Sequence, residues 1–443
     1  MFLQSLNKII FAQNKEKLML QINYIRQNAA LVKERLAVKN FENINLVDEL
    51  IALDEEIRKQ KVTTEAIQAN VNAASKEIGM LMGKGEKDAA DAKKAAVNTW
   101  KEELASGKDL LTKLEEDFTN KILLLPNLPH TSVPVGKHAE DNETVRSSGE
   151  IPTLHAGAKP HWDLIKENNL INFEVGAKIT GSGFPVYIGK GAKLQRALIQ
   201  YFLDFNIAAG YTEVMPPLLV NEASAYGTGN LPDKEGQMYH ITEDNLYLIP
   251  TAEIPVTNMY SGEIIASNNL PIKLTAHSAC FRREAGSFGS DVRGLNRLHQ
   301  FEKIEIVNFV KAENSYITLE GMVSHVEKLL QSLELPYRIL RLCGGDMSFA
   351  SALTYDFEVF SAAQQKWLEV SSVSNFETFQ SNRMKIRTKD EEGKTQLLHT
   401  LNGSSLALPR IMAALLENNQ KEDGIELPKV LHNYFGASKI EFV

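Results

Sequence analysis

The stretch Cys280-Phe281-Arg282-Arg283-Glu284-Ala285-Gly286, with its continuation Arg297-Leu298-His299-Gln300-Phe301-Glu302-Lys303-Ile304-Glu305, carries the pattern that decides the fold. Both parts are typical of β-strands, and the residues between them are polar and glycine-rich, so the pattern predicts strand, loop and strand. Arg282 and Glu284 are two residues apart, which on a strand places both side chains on one face. Such a face offers a guanidinium to a phosphate and a carboxylate to an amine or a ring edge. Taken alone, the Arg-x-Glu triplet fits a salt-bridged surface hairpin better.

The chain from about residue 150 onward has α+β texture. Short β-branched and aromatic runs predict strands at Leu246–Ile249, Ile304–Phe309 and Phe357–Phe360. Amphipathic patterns predict helices at Ala192–Ala209, at Ser315–Leu333 and after Pro409. Many strands around fewer helices favour a mostly antiparallel sheet over a doubly wound one. Two glycine pairs, Gly181-Ser182-Gly183 and Gly189-Lys190-Gly191, lack the spacing of a phosphate loop and are interpreted as turns.

Residues 45–125 form a different segment, without proline before Pro126 and rich in Ala, Glu, Lys and Gln. Apolar residues recur there at intervals of three and four, as in a coiled coil. They are Ile67, Val71, Ala74, Ile78 and Leu81, then Val97, Trp100, Leu104, Gly107, Leu111, Leu114 and Phe118. The glycines of Gly83–Asp88 interrupt the pattern, so the sequence predicts an antiparallel helical hairpin. Its outward lysines either pair with nearby acids or bind an elongated polyanion.

The bulk composition excludes several classes of protein. With 43% apolar and 23% charged residues over 443 positions, the chain resembles an ordinary multi-domain globular protein. It has no run of about 18 apolar residues, so we expect no membrane span. Two distant cysteines, Cys280 and Cys343, argue against a disulfide framework and a Cys-rich zinc site, and fit a reducing cytoplasm. The net charge of −8 is a weak guide, because a local basic stripe can still bind phosphates.

The opening stretch resembles motif 2 of the class II aminoacyl-tRNA synthetases, an F-R-x-E strand, a loop and an R-x-x-x-F strand. Motif 3 of that class resembles Leu401-Asn402-Gly403-Ser404-Ser405-Leu406-Ala407-Leu408-Pro409-Arg410 and the apolar helix after it. Motif 1 resembles Gly210-Tyr211-Thr212-Glu213-Val214-Met215-Pro216-Pro217. Three motifs in the expected order over about 200 residues form a specific signal, and the resemblance implies the class II antiparallel sheet flanked by helices.

Further matches are similar to the serine branch of this class. Thr251-Ala252-Glu253 resembles its T-A-E loop, and Glu369-Val370-Ser371-Ser372 followed by Ser374-Asn375 resembles its E-[IV]-S-S-x-S-N strand. The helical hairpin resembles the tRNA-binding arm of that family. Two departures occur in motif 3, where Ser405 and Pro409 stand in place of the usual glycines. Proline is tolerated in the first turn of a helix, whereas we expect Ser405 to narrow the pocket slightly.

The resemblance implies the following functional roles. Arg282, Glu284 and Arg410 are expected to be catalytic, with Arg282 at the α-phosphate and Arg410 at the γ-phosphate. The expected serine-binding residues are Thr251, Ala252, Glu253, Arg282, Glu305 and Ser404. Those expected to bind ATP are Arg282, Arg283, Glu284, Phe301, Glu369, Val370, Ser371, Ser372 and Arg410, with Phe301 stacked on adenine. Glu369 and Ser372 supply hard oxygens for Mg²⁺, and no zinc is expected.

The resemblance also implies a domain organisation and partners. We expect an extension at 1–18, a tRNA-binding domain at 19–125, a linker at 126–150 and a catalytic domain at 151–443. The arm is expected to bind the long variable arm of tRNA(Ser), and of tRNA(Sec) where it is present, in a homodimer formed through motif 1 around Pro217. Two other interpretations remain: a relative that activates an amino acid for a carrier protein, and a coiled-coil interaction protein with a degenerate synthetase body. Threonine or proline specificity is disfavoured by the serine-type matches.

Overall fold

The structure, a computed structural model, describes residues 22–233, 236–284 and 293–442. It divides into two compact units, one comprising residues 22–37 and 41–126, the other residues 38–40 and the described chain from 127 onward. The predicted extension at 1–18 lies outside the described residues. The predicted linker at 126–150 differs from the structure, because Glu143–Ser148 forms an edge strand of the main sheet in the larger unit.

The smaller unit contains four described helices, of which the second ends one residue beyond it. They are α1 Ile22–Gln27, α2 Ala29–Val38, α3 Leu46–Lys84 and α4 Lys87–Ile122. Helices α3 and α4 form the predicted antiparallel hairpin, in which Gln60 donates a hydrogen bond to the Gly107 carbonyl. Between them Gly85 adopts φ 84° and closes α3 with a left-handed cap. Val71 and Ala74 of α3 pack against Val97 of α4, which confirms that part of the predicted apolar seam.

The larger unit contains nineteen strands and nine helices of the α type within the described residues. Its strands are β1 Glu143–Ser148, β2 Ile171–Asn172, β3 Val186–Tyr187, β4 Thr212–Glu213, β5 Leu219–Asn221, β6 His240–Ile241, β7 Leu246–Leu248, β8 Ile264–Ile265, β9 Ile272–Phe281, β10 Gln300–Val310, β11 Tyr337–Arg341, β12 Leu353–Ser361, β13 Lys366–Asn375, β14 Arg387–Lys389, β15 Thr395–Leu397, β16 His399–Ala407, β17 Gln420–Lys421, β18 Gly424–Glu426 and β19 Lys439–Glu441. Its helices are α5 His161–Glu167, α6 Phe173–Ile179, α7 Gly189–Ala208, α8 Glu222–Thr228, α9 Glu253–Asn258, α10 Ser315–Ser332, α11 Phe379–Met384, α12 Leu408–Asn418 and α13 His432–Phe435.

Eight strands form the main sheet in the order β1-β11-β12-β13-β16-β10-β9-β4. Every neighbouring pair is antiparallel except β4 and β9, which run parallel. This confirms the α+β class and the mostly antiparallel sheet. Helix α12 packs against β10, β12 and β13, while α10 packs against β13 and β16. Strand β10 is therefore buried along most of its length, so a charged side chain on it requires a partner.

One of the two predicted glycine turns is wrong. The Gly181–Gly183 segment does lie in a turn, but Gly189 begins helix α7. A Cβ atom at Gly191 would come within 2.0 Å of the Leu170 carbonyl oxygen. Gly191 therefore allows helix α7 to pass close to the backbone at Leu170. A pair of nearby glycines in the sequence does not indicate such a contact.

Candidate active site

A cavity of about 640 Å³ opens in the larger unit, where residues of the central strands β10, β13 and β16 line it. Most of the residues predicted for the site line it. They are Thr251, Glu253, Arg282, Glu284, Phe301, Glu305, Glu369, Val370, Ser371, Ser372, Ser404 and Arg410. These residues come from three strands, two helices and two loops between residues 251 and 410, so the fold brings together positions that are distant in sequence.

A buried ion pair lies on the floor of the cavity. Lys303 Nζ is 2.7 Å from Glu305 Oε2, and both side chains are less than 10% exposed. The Thr251 hydroxyl donates to Glu305 Oε2 at 3.0 Å and accepts from Lys303 Nζ at 2.9 Å. Ser404 lies directly opposite Glu305 on strand β16. The two buried charges compensate each other, so the cluster needs no further counter-ion. It can therefore recognise a small polar ligand through hydrogen bonds.

Lys303 is the main residue that the sequence interpretation missed. Its position in Lys303-Ile304-Glu305-Ile306 repeats the Arg-x-Glu spacing, here inside a strongly apolar strand. Opposite β16, the register shifts between Lys303 and Glu305, which marks a β-bulge. Bulges commonly re-aim side chains next to active sites. A basic and an acidic residue alternating with isoleucines on a buried strand were therefore a usable signal.

Glu253 lies at the edge of this cluster, at the start of helix α9. Its Oε1 atom accepts a hydrogen bond of 2.6 Å from Gln380 Nε2. Burial, together with the neighbouring Glu305 carboxylate, raises the pKa of Glu253 to about 7. Two acids close together in a low-dielectric place cannot both ionise easily, so this pair favours a cationic group between them.

Two guanidinium groups border the wider part of the cavity. Arg282 lies over the Phe301 ring, with its Cζ atom 5.3 Å from the ring centroid. Arg410, in the first turn of α12, donates to the Glu369 carbonyl at 2.7 Å and to the Asn296 carbonyl at 3.1 Å. Both arginines can bind phosphate oxygens while their planar groups are held by neighbours.

The prediction that Arg282 and Glu284 share one face of a strand is wrong. Strand β9 ends at Phe281, and Glu284 has a positive φ of 47°. The chain leaves the sheet there because the Arg283 amide donates to the Gln237 carbonyl instead of to β10. Glu284 pairs with Arg297 at 3.0 Å, so this carboxylate reaches the cavity from a turn.

Strand β13 contributes oxygen atoms to the same wall. Glu369 is half-exposed, and Ser372 lies opposite Asp356 on β12. Burial and the Glu369 carboxylate raise the pKa of Asp356 well above its ordinary value. Within the described ranges, Asp356 Oδ1 is buried without a hydrogen-bond partner. Two carboxylates and a hydroxyl thus lie close together beside Arg410, and Asp356 is the member that the sequence interpretation missed.

Three motif residues lie apart from the cavity wall. The Ala252 side chain packs in the apolar core with Val256 and Leu274, and Arg283 is exposed. The expectation that Ser405 narrows the pocket is wrong. Its hydroxyl donates to Asn206 Oδ1 at 2.8 Å in a buried network, because alternation along β16 turns it away from the face that carries Ser404. Pro409 does lie in the first turn of α12, as predicted.

Comparisons with known proteins cover both units. The seryl-tRNA synthetase N-terminal domain matches residues 19–129, and the tRNA synthetase class II core domain (G, H, P, S and T) matches residues 238–419. A serine–tRNA ligase of Salinibacter ruber is 49% identical over 95% of this chain and 99% of its own length. Another of Methylacidiphilum infernorum is 46% identical over 94% of this chain and 99% of its own.

A solved structure supports the same relationship. The crystal structure of seryl-tRNA synthetase from Pyrococcus horikoshii complexed with ATP superposes with a TM-score of 0.89 at 34% identity, over 96% of this chain and 100% of that one. Similarity that extends over the hairpin, the antiparallel sheet and the cavity, at nearly full length in both chains, shows that the protein belongs to the seryl-tRNA synthetase family.

Proposed function

We propose that the protein activates L-serine with ATP to form seryl-adenylate and transfers the seryl group to the 3′ end of tRNA(Ser), and of tRNA(Sec) where that tRNA is present. One observation carries the proposal: a small buried polar cluster around Glu305 shares a cavity with the Arg282 and Arg410 guanidinium groups. The first fits a small hydroxylated amino acid, and the second fits a polyphosphate.

Serine is proposed to bind at the Glu305 cluster. Glu305 and Ser404 would grip the hydroxyl, and Glu253 and Thr251 would bind the ammonium end. A site built to hydrogen-bond a hydroxyl rejects alanine, because its buried polar groups would be left unpaired. The pKa of Glu253 near 7 supports this assignment, since a bound ammonium group favours the ionised carboxylate.

ATP is proposed to bind along the wider wall. Arg282 would hold the α-phosphate and the serine carboxylate, Arg410 the γ-phosphate, and Glu284 would face the adenine. In the first step a serine carboxylate oxygen attacks the α-phosphorus and pyrophosphate leaves. In the second step a ribose hydroxyl of the terminal tRNA nucleotide attacks the seryl carbonyl and AMP leaves. The protein contributes positioning and charge stabilisation rather than a covalent intermediate.

Mg²⁺ fits the oxygen-rich part of this wall. Glu369 and Ser372 are the residues proposed to hold it. Asp356 supports a cation there, because burial and the Glu369 carboxylate raise its pKa and its Oδ1 atom is buried without a hydrogen-bond partner among the described residues. When bound, the ion would neutralise charge on the phosphate oxygens. In the described ranges, no cluster of three or more His, Cys, Asp or Glu side chains has metal-binding geometry.

The hairpin of α3 and α4 is proposed to bind tRNA through its lysines. Several outward basic residues pair with acids on the hairpin itself, as Lys61 does with Glu115 and Lys94 with Asp91. Lys84 and Lys87, on either side of the Gly85 turn, are in no ion pair among the described residues. Free ammonium groups at the tip of a hairpin suit electrostatic contact with phosphates.

We further propose a homodimer formed through the segment around Pro217. Met215 is 89% exposed, and Leu218 and Leu219 beside it are exposed as well. An exposed apolar run next to the main sheet supports an interface there. Two unpaired, buried cysteines support a reducing, cytoplasmic setting. Among the described residues, no helix is both long and apolar enough for a bilayer crossing.

ATP–pyrophosphate exchange with each of the twenty amino acids tests the proposal. Exchange with serine alone supports it, and subsequent charging of tRNA(Ser) distinguishes a synthetase from a relative that loads a carrier protein. Exchange with threonine or proline instead, or with no amino acid, would overturn it. Light scattering on the same preparation, with Met215→Glu as the disruptive variant, tests the dimer.

A further inference from the structure

A fully buried polar network lies behind the nucleotide side of the cavity. His161, at the start of α5, and Glu417, near the end of α12, are both 0% exposed, and His161 Nδ1 is 2.6 Å from Glu417 Oε1. The same Glu417 oxygen accepts from the His161 amide at 2.8 Å and from Gln364 Nε2 at 2.9 Å. The other Glu417 oxygen accepts from the Ser361 hydroxyl. None of the reacting groups proposed above needs this pair directly.

The network holds one short segment, residues 293–297, which we call the loop base. The Leu295 amide donates to His161 Nε2 at 2.8 Å, and the Asn296 amide group donates to Gln364 Oε1 at 2.9 Å. Arg293 lies over the Trp162 ring. A Cβ atom at Gly294 would come within 2.2 Å of His161 Nε2, so the glycine allows the loop base to approach the ring.

The hydrogen bonds define the state of the histidine. Glu417 accepts at Nδ1, so the proton is on Nδ1, and Nε2 is free to accept from the Leu295 amide. A doubly protonated ring would direct an N–H group at another N–H group. The carboxylate therefore selects the one tautomer that can bind the loop base, as carboxylates do for metal-binding histidines.

The loop base leads directly to the groups assigned to ATP. Leu295, Asn296 and Arg297 line the cavity, and Arg297 pairs with Glu284. The Asn296 carbonyl accepts from Arg410 Nε. Arg410 and Glu417 are seven residues apart on α12, which places them on the same side of the helix. Helix α12 thus holds the loop base in two ways. Arg410 contacts it directly, and Glu417 acts on it through His161.

We propose that His161 and Glu417 are positioning residues for the nucleotide: they fix the loop base, and through it Arg297, Glu284 and Arg410, in the geometry that binds ATP. The proposal rests on the proposed function. Neither residue lines the cavity. The serine cluster lies on β10, on β16 and at the start of α9. Substitutions of His161 or Glu417 should therefore weaken ATP binding and leave serine binding nearly unchanged.

Two substitutions at His161 separate its two hydrogen bonds. The amide of His161→Asn can still donate to Glu417 in place of Nδ1 but cannot accept from Leu295, whereas the longer His161→Gln can present an oxygen near the place of Nε2. We expect His161→Asn to raise the KM for ATP in the exchange reaction, and the calorimetric Kd for ATP with Mg²⁺, by about tenfold, the effect of one lost buried hydrogen bond. The serine KM should change less than about twofold, and His161→Gln should restore much of the ATP affinity.

A matched control is His399→Gln. His399 is also buried and bonded to Ser315, but it pairs with Val310 at the far end of β10, about 30 Å along the strand from Phe301. It should lower the melting temperature without a selective change in the ATP constants. Gln364→Ala, a half-buried change that removes the Asn296 contact, provides the test if the His161 variants do not fold.

The outcomes distinguish the two proposals. Serine-dependent exchange by the wild type with unchanged ATP constants in His161→Asn, or in Gln364→Ala if the former does not fold, would overturn the positioning role. An equal rise in the KM values for ATP and for serine, with a loss of stability like that expected for His399→Gln, would also overturn the positioning role. A wild-type protein that neither binds ATP nor supports exchange would overturn the proposed function and the positioning role together.

Discussion

Lys303 and Glu305 lie two residues apart on β10 and form a buried ion pair, with Nζ 2.7 Å from Oε2. Side chains at this spacing share a face on a regular strand, and the register shift between them marks a bulge against β16. The pair shares the Thr251 hydroxyl as donor and acceptor. The most buried charges of the cavity are therefore organised before any substrate binds.

Glu305→Ala should abolish serine-dependent exchange and also destabilise the fold. Removing one partner of a buried pair leaves the Lys303 ammonium uncompensated, at a cost of about 3 kcal/mol in the free energy of unfolding. Glu305→Gln keeps an acceptor for Thr251 and Lys303 but not the negative charge, so it should recover only part of the stability and none of the activity. Exchange assays and thermal denaturation measure the two effects. Near-normal exchange by the alanine variant would remove Glu305 from the serine site.

The stability of the ligand-free protein should depend on pH through the Glu253 carboxyl group. Its pKa is about 7 in the fold, above the ordinary carboxyl value of 4.5, so the folded state binds the extra proton between these values. The stability contributed by that proton is full below pH 4.5 and is lost as the pH rises through 7. Glu253→Gln should remove up to about 3 kcal/mol of this dependence. Melting temperatures of both proteins from pH 4.5 to 8 test it, and parallel curves would contradict it.

Shortening the hairpin should separate activation from charging. Gln60 and Gly107 face each other across α3 and α4, so replacing residues 62–106 by a short glycine-rich turn preserves the pairing below. We expect serine-dependent exchange to remain within about twofold of the wild type, because the cavity lies in the larger unit, and tRNA charging to fall at least 100-fold as the phosphate contacts are lost.

The control for the shortened hairpin is the double variant Lys84→Ala and Lys87→Ala, which leaves the hairpin length intact. It should reduce charging less than the deletion and lower its salt dependence, since each phosphate contact contributes to the salt slope. Unchanged charging by the shortened protein would assign the hairpin a purely structural role.

Ser405→Ala should affect stability and spare catalysis. The Ser405 hydroxyl donates to Asn206 Oδ1, which His325 Nε2 also contacts at 2.7 Å. The acceptor therefore keeps one partner, and the loss should be about 1 kcal/mol in the free energy of unfolding. Serine and ATP KM values should stay within about twofold. A larger change in the serine KM would mean that the hydroxyl shapes the cavity after all.

Much of the fold was accessible from local patterns. The coiled-coil spacing and the Gly83–Asp88 break predicted a hairpin whose turn lies at Gly85. The two strands predicted around Arg282 were found as β9 and β10. Local patterns failed where the backbone bonds to something distant: Gly189 begins a helix, and Arg283 leaves the sheet for Gln237. Neither Leu170 nor Gln237 can be paired with those positions by spacing.

The sequence by itself determined the family, the class of sheet, the hairpin and twelve of the residues that line the cavity, because these depend on periodicity and on short local motifs. Only the tertiary structure decided which side chains compensate one another. It placed Lys303 against Glu305, Ser405 against Asn206 and His161 between Glu417 and Leu295. A buried polar group must find a partner wherever the fold brings one, and that partner can be more than 200 residues away.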